Sequence, residues 1–285
     1  MTMEAIKELR ARTNLGMTDC KKALAEASGN IDAAIEILQK KGLRKVDDLI
    51  IPLEGAVQAW PSLTHAFDAD NLPVEGYMVE VNCQTDFGAR SQPFQEAMVD
   101  HFSKPMSDEE TAEILKNLSK QLGEKVVLRR SQKMVLLPKA GWISSYNHQG
   151  GNIAVLLSAF MTPNVGPAAA KAFNFTNELA MHIAAMKPLG LRRESIMHDV
   201  VEKKRAFFAD EVKDKKPEFQ EKIIAGKMDK WFAEVALMEQ ESIMHPKRTV
   251  QSLFNELQKE IGEFSLGSFI RYERGESING DAKTS

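Results

Sequence analysis

The chain has 285 residues, 43% of them hydrophobic and 27% charged, which supplies apolar material for two or three packed units. Its 37 basic and 40 acidic residues leave a net charge of −3, unlike a chain whose main task is gripping a nucleic-acid backbone. Cys20 and Cys83 form no C-x-x-C pair and have no second metal-type ligand at useful spacing. That excludes a disulfide framework and a zinc site, and both read as small buried hydrophobes in a reducing compartment.

The opening Met1-Thr2-Met3-Glu4 runs into a charged helical pattern, without the features of a signal or transit peptide. No apolar run approaches the ~18 residues of a membrane helix. A cytoplasmic protein is expected, with a processed organellar precursor as the alternative.

Residues 4–42 predict three short helices. Ile6 and Leu9 mark the first, and Asn14-Leu15-Gly16 breaks it. Thr18 is the expected cap of the second, whose apolar face is Cys20, Ala23, Leu24 and Ala27. Asn30 is the expected cap of the third, which repeats Ile31, Ala34, Ile35 and Leu38 and ends at Gly42. Residues 43–75, punctuated by Pro52, Pro61 and Pro73, read as a linker with at most one short element.

Tyr77, Val79, Val81 and Cys83 alternate with Met78, Glu80 and Asn82, which predicts a half-buried strand. A helix is expected from Pro93 to Phe102, and Ser107 with Glu110 forms a capping box for another carrying Ile114, Leu115, Leu118 and Leu122. Strands are expected near 125–130, 141–146 and 152–159, with Asn147-His148-Gln149-Gly150-Gly151 as the turn between the last two. A helix over 174–186 closes at Pro188. The strand-then-helix order of 77–103 recurs over 152–186, a weak internal duplication.

Apolar residues at helical spacing from Val200 to Ile224, among them Phe207, Phe208, Val212 and Phe219, predict a helical hairpin with Pro217 between its arms. They read as the hairpin's own seam. A helix near 249–258, a strand near 267–273 and a tail from Gly280 complete the chain.

No phosphate loop, dinucleotide fingerprint, nucleophile elbow or H-E-x-x-H helix is present, and the six histidines are scattered. Glu109 and Glu110 sit at a helix start, where the macrodipole explains them. Lys203-Lys204-Arg205 reads as a solvated face. A non-enzyme is expected, with no cofactor and no metal.

Two segments are specific. Leu9-Arg10-Ala11-Arg12-Thr13 followed by Gly16-Met17-Thr18-Asp19-Cys20-Lys21-Lys22-Ala23-Leu24 resembles the opening of the elongation factor Ts family. Glu80-Val81-Asn82-Cys83-Gln84-Thr85-Asp86-Phe87 resembles its second signature. Weaker likenesses lie at Leu122-Gly123-Glu124, Tyr146-Asn147-His148, His182 to Pro188, Pro246 to Val250 and Phe269 to Glu273.

The resemblance implies an α+β fold: a ubiquitin-associated-like three-helix module, a core of two related α+β subdomains with antiparallel sheets, and a protruding coiled-coil hairpin. Combined with the element pattern, it divides the chain into module 1–43, linker 44–75, core subdomain 76–140, core subdomain 141–187 with 233–279, hairpin 188–232 and tail 280–285. It implies guanine nucleotide exchange on elongation factor Tu as partner. Asp86 and Phe87 would wedge into that partner's GTPase domain and disturb its magnesium and phosphate site.

Further implied contacts are Lys21, Leu122, Gly123, His148, Ile243 and Met244. A family Lys-His contact falls here on Asn177 and Glu178, which puts that contact in doubt. Gly88 stands where the family usually has Val or Ala, and a glycine there is expected to loosen the wedge. The linker departs most; only Leu53-Glu54-Gly55-Ala56-Val57 is similar to the family's run.

Read without the family, Asp86 is a turn residue capping the next helix and Phe87 a core aromatic. Lys21 is then a solvated lysine and His148 a polar turn residue, while Ile243 and Met244 pack the hairpin base. Two other functions compete: a non-exchanging adaptor or scaffold for elongation factor Tu, as in some viral replicases, and an RNA or nascent-chain binding module.

Overall fold

The computed structural model describes residues 2–13, 15–40, 52–60, 72–136, 141–148, 150–162 and 165–276. Its elements mix helices with antiparallel sheets, the α+β class expected. Three helices open the chain: α1 (Met3–Thr13), α2 (Met17–Glu26) and α3 (Ile31–Lys40). Their stripes meet in a small core of Ile6, Leu9, Cys20, Leu24, Ile35 and Leu38, the positions that the 3.6-residue period selects. Asn30 caps α3, its Oδ1 accepting from the N–H of Asp32 and Ala33 at 3.0 and 3.1 Å.

Gly16, not Thr18, stands at the N-cap of α2, and no side chain caps that helix. The carbonyl of Gly16 already accepts from the Asp19 and Cys20 amides, so Thr18 lies inside the first turn. The expected stop at Gly42 and the tail 280–285 lie outside the described residues.

Two three-stranded antiparallel sheets form the core, each with its second strand in the centre. The first holds β1 (Glu54–Trp60), β2 (Glu75–Cys83) and β3 (Val127–Val135); the second holds β4 (Gly141–Asn147), β5 (Ile153–Met161) and β6 (Phe264–Glu273). In the first, the path from centre to third strand runs through α4 (Asp86–Arg90), α5 (Gln92–Asp100) and α6 (Asp108–Leu122). In the second it runs through α7 (Gly166–Met186), α8 (His198–Glu211), α9 (Pro217–Val235) and α10 (Val250–Ile261). The duplication suspected from the strand-then-helix recurrence therefore has a structural counterpart in a shared strand order.

Strand β1 falls inside the stretch read as linker. Gly55, Ala56, Gln58 and Ala59 carry little β propensity, so the pattern did not announce a strand. Pairing supplies what propensity lacks: Ala56 lies opposite Val81 and Ala59 opposite Met78. Helix α7 likewise starts eight residues before the expected 174, with Pro167 in its first turn, where a missing N–H costs nothing.

The sheets stack face to face, with Val57, Ala59 and Met78 of the first meeting Ile143, Ala154 and Leu156 of the second. Helices cover both outer faces. Val79, Val81 and Cys83 pack under Phe94, Met98 and Leu118, while Trp142, Val155 and Leu157 pack under Phe173, Ile183 and Phe254.

This layering corrects the half-buried reading of β2. Met78, Glu80 and Asn82 are all 0% exposed, because their face meets the second sheet instead of water. Glu80 is compensated there by Arg129 Nη1 and Arg130 Nε, which donate to its two oxygens at 2.8 and 2.7 Å, and by the Gly275 amide at 2.9 Å. Consecutive strand residues normally point to opposite faces. A register shift between Glu80 and Val81 against β3 lets Arg129 and Arg130 converge. Arg130 also lies 3.8 Å from the centre of the Tyr272 ring and donates to Glu276, so the end of β6 is tied over the first sheet.

Helices α8 and α9 pair around Val212, Ile224, Met228 and Trp231, with Arg205–Glu221 and Lys227–Glu211 ion pairs across them. Pro217 opens α9 in its first turn. Phe207 and Phe219, expected in the seam, are exposed. Successive helix residues are about 100° apart, so packing Phe208 turns Phe207 outward. The hairpin base joins the core where Gly190 pairs with Ala236. Among the described residues no helix is long and apolar enough to cross a membrane.

Candidate partner-binding site

Strand β2 ends into α4, only five residues long, and the junction displays Asp86 and Phe87. Thr85 is the N-cap: its Oγ1 accepts from the Gly88 amide at 3.0 Å. Gly88 and Ala89 take the buried side of α4, which leaves Phe87 pointing away. Phe87 is 83% exposed, more than any other large hydrophobic among the described residues. Asp86 is half-buried and pairs with Arg90 at 3.6 Å. The readings of Asp86 as the cap and of Phe87 as core both fail, because Thr85 caps the helix and smaller residues fill its inner face.

Gly88 does not loosen the turn. It is helical and buried, and its amide is bonded. A Cβ added there would sit 2.1 Å from Glu124 Oε1. Glu124 fills that space and accepts from the Thr85 amide at 3.2 Å and from the Thr85 hydroxyl at 2.8 Å. Gln84 Oε1 accepts from the Lys125 amide at 3.3 Å. These bonds tie the end of α6, where Leu122 and Gly123 lie, to the turn that leads into Asp86 and Phe87. Gly123 ends α6 in the left-handed conformation, φ 70°, and Leu122 packs on the helical side of the first sheet. Burial, and then the nearby Glu124 carboxylate, push the Cys83 thiol up to about 12, so it stays protonated.

His148 is placed by its neighbours. The Asn147 side chain reads the open edge of β1 as a strand would: Oδ1 accepts from the Ala59 amide at 2.7 Å and Nδ2 donates to the Ala59 carbonyl at 3.0 Å. The Val57 amide donates to the Gly151 carbonyl at 2.7 Å. Gly151 permits this approach, since a Cβ there would lie 2.7 Å from that of Ala56. The β4–β5 turn thus docks against β1, and His148 and Asp86 line one cleft of about 530 Å3 with Gln58, Arg90 and Arg274.

Ile243 and Met244 are 41% and 49% exposed and belong to none of the hydrophobic clusters, so they do not pack the hairpin base. Their loop is held from inside. The Ile243 amide donates to His182 Nδ1 at 3.4 Å, which leaves the ring proton on Nε2, donated to Gln240 Oε1 at 3.0 Å. Gln240 Nε2 then donates to the Glu234 carbonyl at 2.6 Å. Burial pulls the His182 pKa below its ordinary 6.5, partly offset by the bond to Gln240.

A depressed histidine is neutral in the folded state and takes up a proton more readily when unfolded. Its contribution to stability is therefore present above pH 6.5 and lost as pH falls below that value. Urea unfolding at pH 7 and at about pH 5.5 is expected to show a larger loss for the native chain than for His182→Gln. Equal losses would refute this assignment.

Lys21 is exposed on α2 in the N-terminal module. Asn177 and Glu178 lie on α7, with Glu178 3.8 Å from His245. Thr85, Glu124, Asn147 and His182 lie inside segments that carry the resemblance, yet the resemblance assigns none of them a role of its own. Thr85 is of a residue type favoured at helix N-caps, and its Oγ1 accepts from the Gly88 amide three positions on.

A family model described as elongation factor TS matches residues 84–276. The chain is 36% identical over 294 residues to elongation factor Ts of Symbiobacterium thermophilum, covering 98% of this chain and 93% of that one. It is 33% identical over 302 residues to that of Magnetococcus marinus and 36% identical over 303 residues to that of Syntrophotalea carbinolica, each covering 98% of this chain and 94% of the relative. These likenesses put the chain among the translation elongation factors. It belongs to the elongation factor Ts family.

Proposed function

We propose that this chain is a guanine nucleotide exchange factor that binds elongation factor Tu and promotes GDP release by disturbing its magnesium and phosphate site. The observation that carries the reading is Phe87, an aromatic held 83% exposed at the tip of a braced turn. Leaving such a ring in water forgoes about 1.5–3 kcal/mol, which burial against a partner would recover. Asp86 beside it supplies a negative charge for the same contact. Leu122 and Gly123, next to the Glu124 that holds this turn, His148 on the cleft that Asp86 also lines, and Lys21, Ile243 and Met244 are further contacts in this reading.

Magnesium and oriented backbone donors hold a guanine nucleotide tightly. A partner that binds the distorted, empty state better than the filled one must weaken nucleotide binding by the same factor. A coupling of ~4 kcal/mol corresponds to roughly a thousandfold. No covalent step and no cofactor enter this mechanism, so the chain acts by binding alone, in the cytoplasm. The same reading treats the three-helix module, core and hairpin as separate units of one binding protein.

The adaptor alternative drew on Gly88 and on the divergent linker, and the filled space at Gly88 bears on the first of these alone. The test is release of a fluorescent GDP analogue from bacterial elongation factor Tu with and without the chain. Acceleration supports exchange. Tight binding without acceleration supports the adaptor, and salt-sensitive RNA binding without the partner supports the third reading.

A further inference from the structure

We propose that Glu124 is the positioning residue for the Asp86–Phe87 ridge, its carboxylate occupying the space that Gly88 leaves and fixing the angle at which Phe87 leaves the core. This rests on the exchange reading of that ridge. A five-residue helix has no stability of its own, since isolated helices shorter than ~12 residues are marginal in water. The direction of α4 is therefore set by what holds its ends.

At its start, both oxygens of Glu124 are spent on Thr85, one on the amide and one on the hydroxyl. Thr85 Oγ1 in turn accepts from the Gly88 amide, so a relay from Glu124 through Thr85 to Gly88 spans the turn that carries Asp86 and Phe87. Gln84 and Lys125 add a second tie between the same two segments.

The relay depends on the glycine. A Cβ at position 88 would fall 2.1 Å from Glu124 Oε1 and 2.8 Å from its Cδ. A side chain at 88 and this placement of Glu124 exclude one another. Glu124 is only half-buried and lies outside the hydrophobic clusters, so its removal acts on the turn rather than on the core.

The experiment compares the native chain with Glu124→Ala, Glu124→Gln, Gly88→Ala and the Gly88→Ala, Glu124→Ala pair, each checked by thermal melting. Two quantities are read: hydrogen exchange of the Gly88 amide, and GDP-analogue release from elongation factor Tu as a function of chain concentration. Glu124→Ala is expected to speed Gly88 exchange roughly tenfold. It should lower the maximal release rate about tenfold while moving the half-saturating concentration less than about threefold. Glu124→Gln, which still offers an oxygen to the Thr85 amide, should stay within about threefold of native.

Gly88→Ala should resemble Glu124→Ala, and the pair should be no worse than either single change, because both break one contact. Native Gly88 protection and native maximal rate in Glu124→Ala would overturn the proposal, as would multiplicative losses in the pair. If the native chain fails to accelerate release, the exchange reading falls. The Gly88 amide then still decides whether Glu124 holds α4.

Discussion

Glu80→Ala is expected to destabilise the chain by about 3–5 kcal/mol, the cost of breaking a buried ion pair by removing one partner. Glu80 is 0% exposed and accepts from Arg129, Arg130 and the Gly275 amide, as well as from Asn82 Nδ2 at 3.2 Å. Taking the carboxylate away leaves two guanidinium groups, themselves only 13% and 16% exposed, between the sheets without their shared anion. The loss is much of the stability of a typical domain, and urea unfolding would read it directly. Glu80→Gln should fall between the two, since it keeps an acceptor but drops the charge. A loss below about 1 kcal/mol for Glu80→Ala would mean that water or the arginines' other partners, Glu276 among them, compensate fully, and that the anion is not what ties the sheets.

The second large effect is on activity and not on stability. Phe87→Ala should leave the melting temperature unchanged, since an exposed ring contributes little to the folded state. In the GDP-release assay it should lower the rate roughly a hundredfold, the range expected when a central aromatic anchor worth 2–4 kcal/mol is truncated. Asp86→Ala should act in the same direction more weakly, because Asp86 is partly engaged with Arg90. A variant that melts early would assign Phe87 to the fold instead of the interface. One that melts normally and exchanges nucleotide at the native rate would remove Phe87 from the mechanism.

These two expectations mark different depths of legibility. The alternation around Tyr77 to Cys83 identifies β2, and the octapeptide ending in Asp86-Phe87 singles out the ridge from sequence alone. The capping box at Ser107 and Glu110 was equally local, and the structure forms it with the Ser107 amide donating to Glu110 at 3.0 Å. What alternation could not say is that the polar side of β2 faces a second sheet. A buried Glu and a solvated Glu look alike until the arginines that answer the buried one are known, and Arg129 and Arg130 lie about fifty positions away.

The same distance hid the support of the ridge. Gly88 read as a point of looseness because a glycine considered alone has conformational freedom. Its meaning changed once Glu124, thirty-six positions on, was found in the space beside it. Strand β1 is the one short element that the linker reading allowed without type or place: its residues are weak strand formers, and it exists because β2 offers an edge and Asn147 closes the other one.

By itself the sequence determined the local elements, the three-helix opening, the helical hairpin, and the family through two ordered signatures. Such features follow from periodicity, caps and short contiguous motifs, all of which act over a few residues. Only the tertiary structure decided which faces are wet, that Phe87 stands out while Gly88 is filled, and that Asp86 and His148 line one cleft while the end of α6 is tied to the turn before Asp86. Those outcomes depend on pairings between residues distant in the chain, and a buried charge, a closed strand edge or a braced turn is defined only by its partner in space.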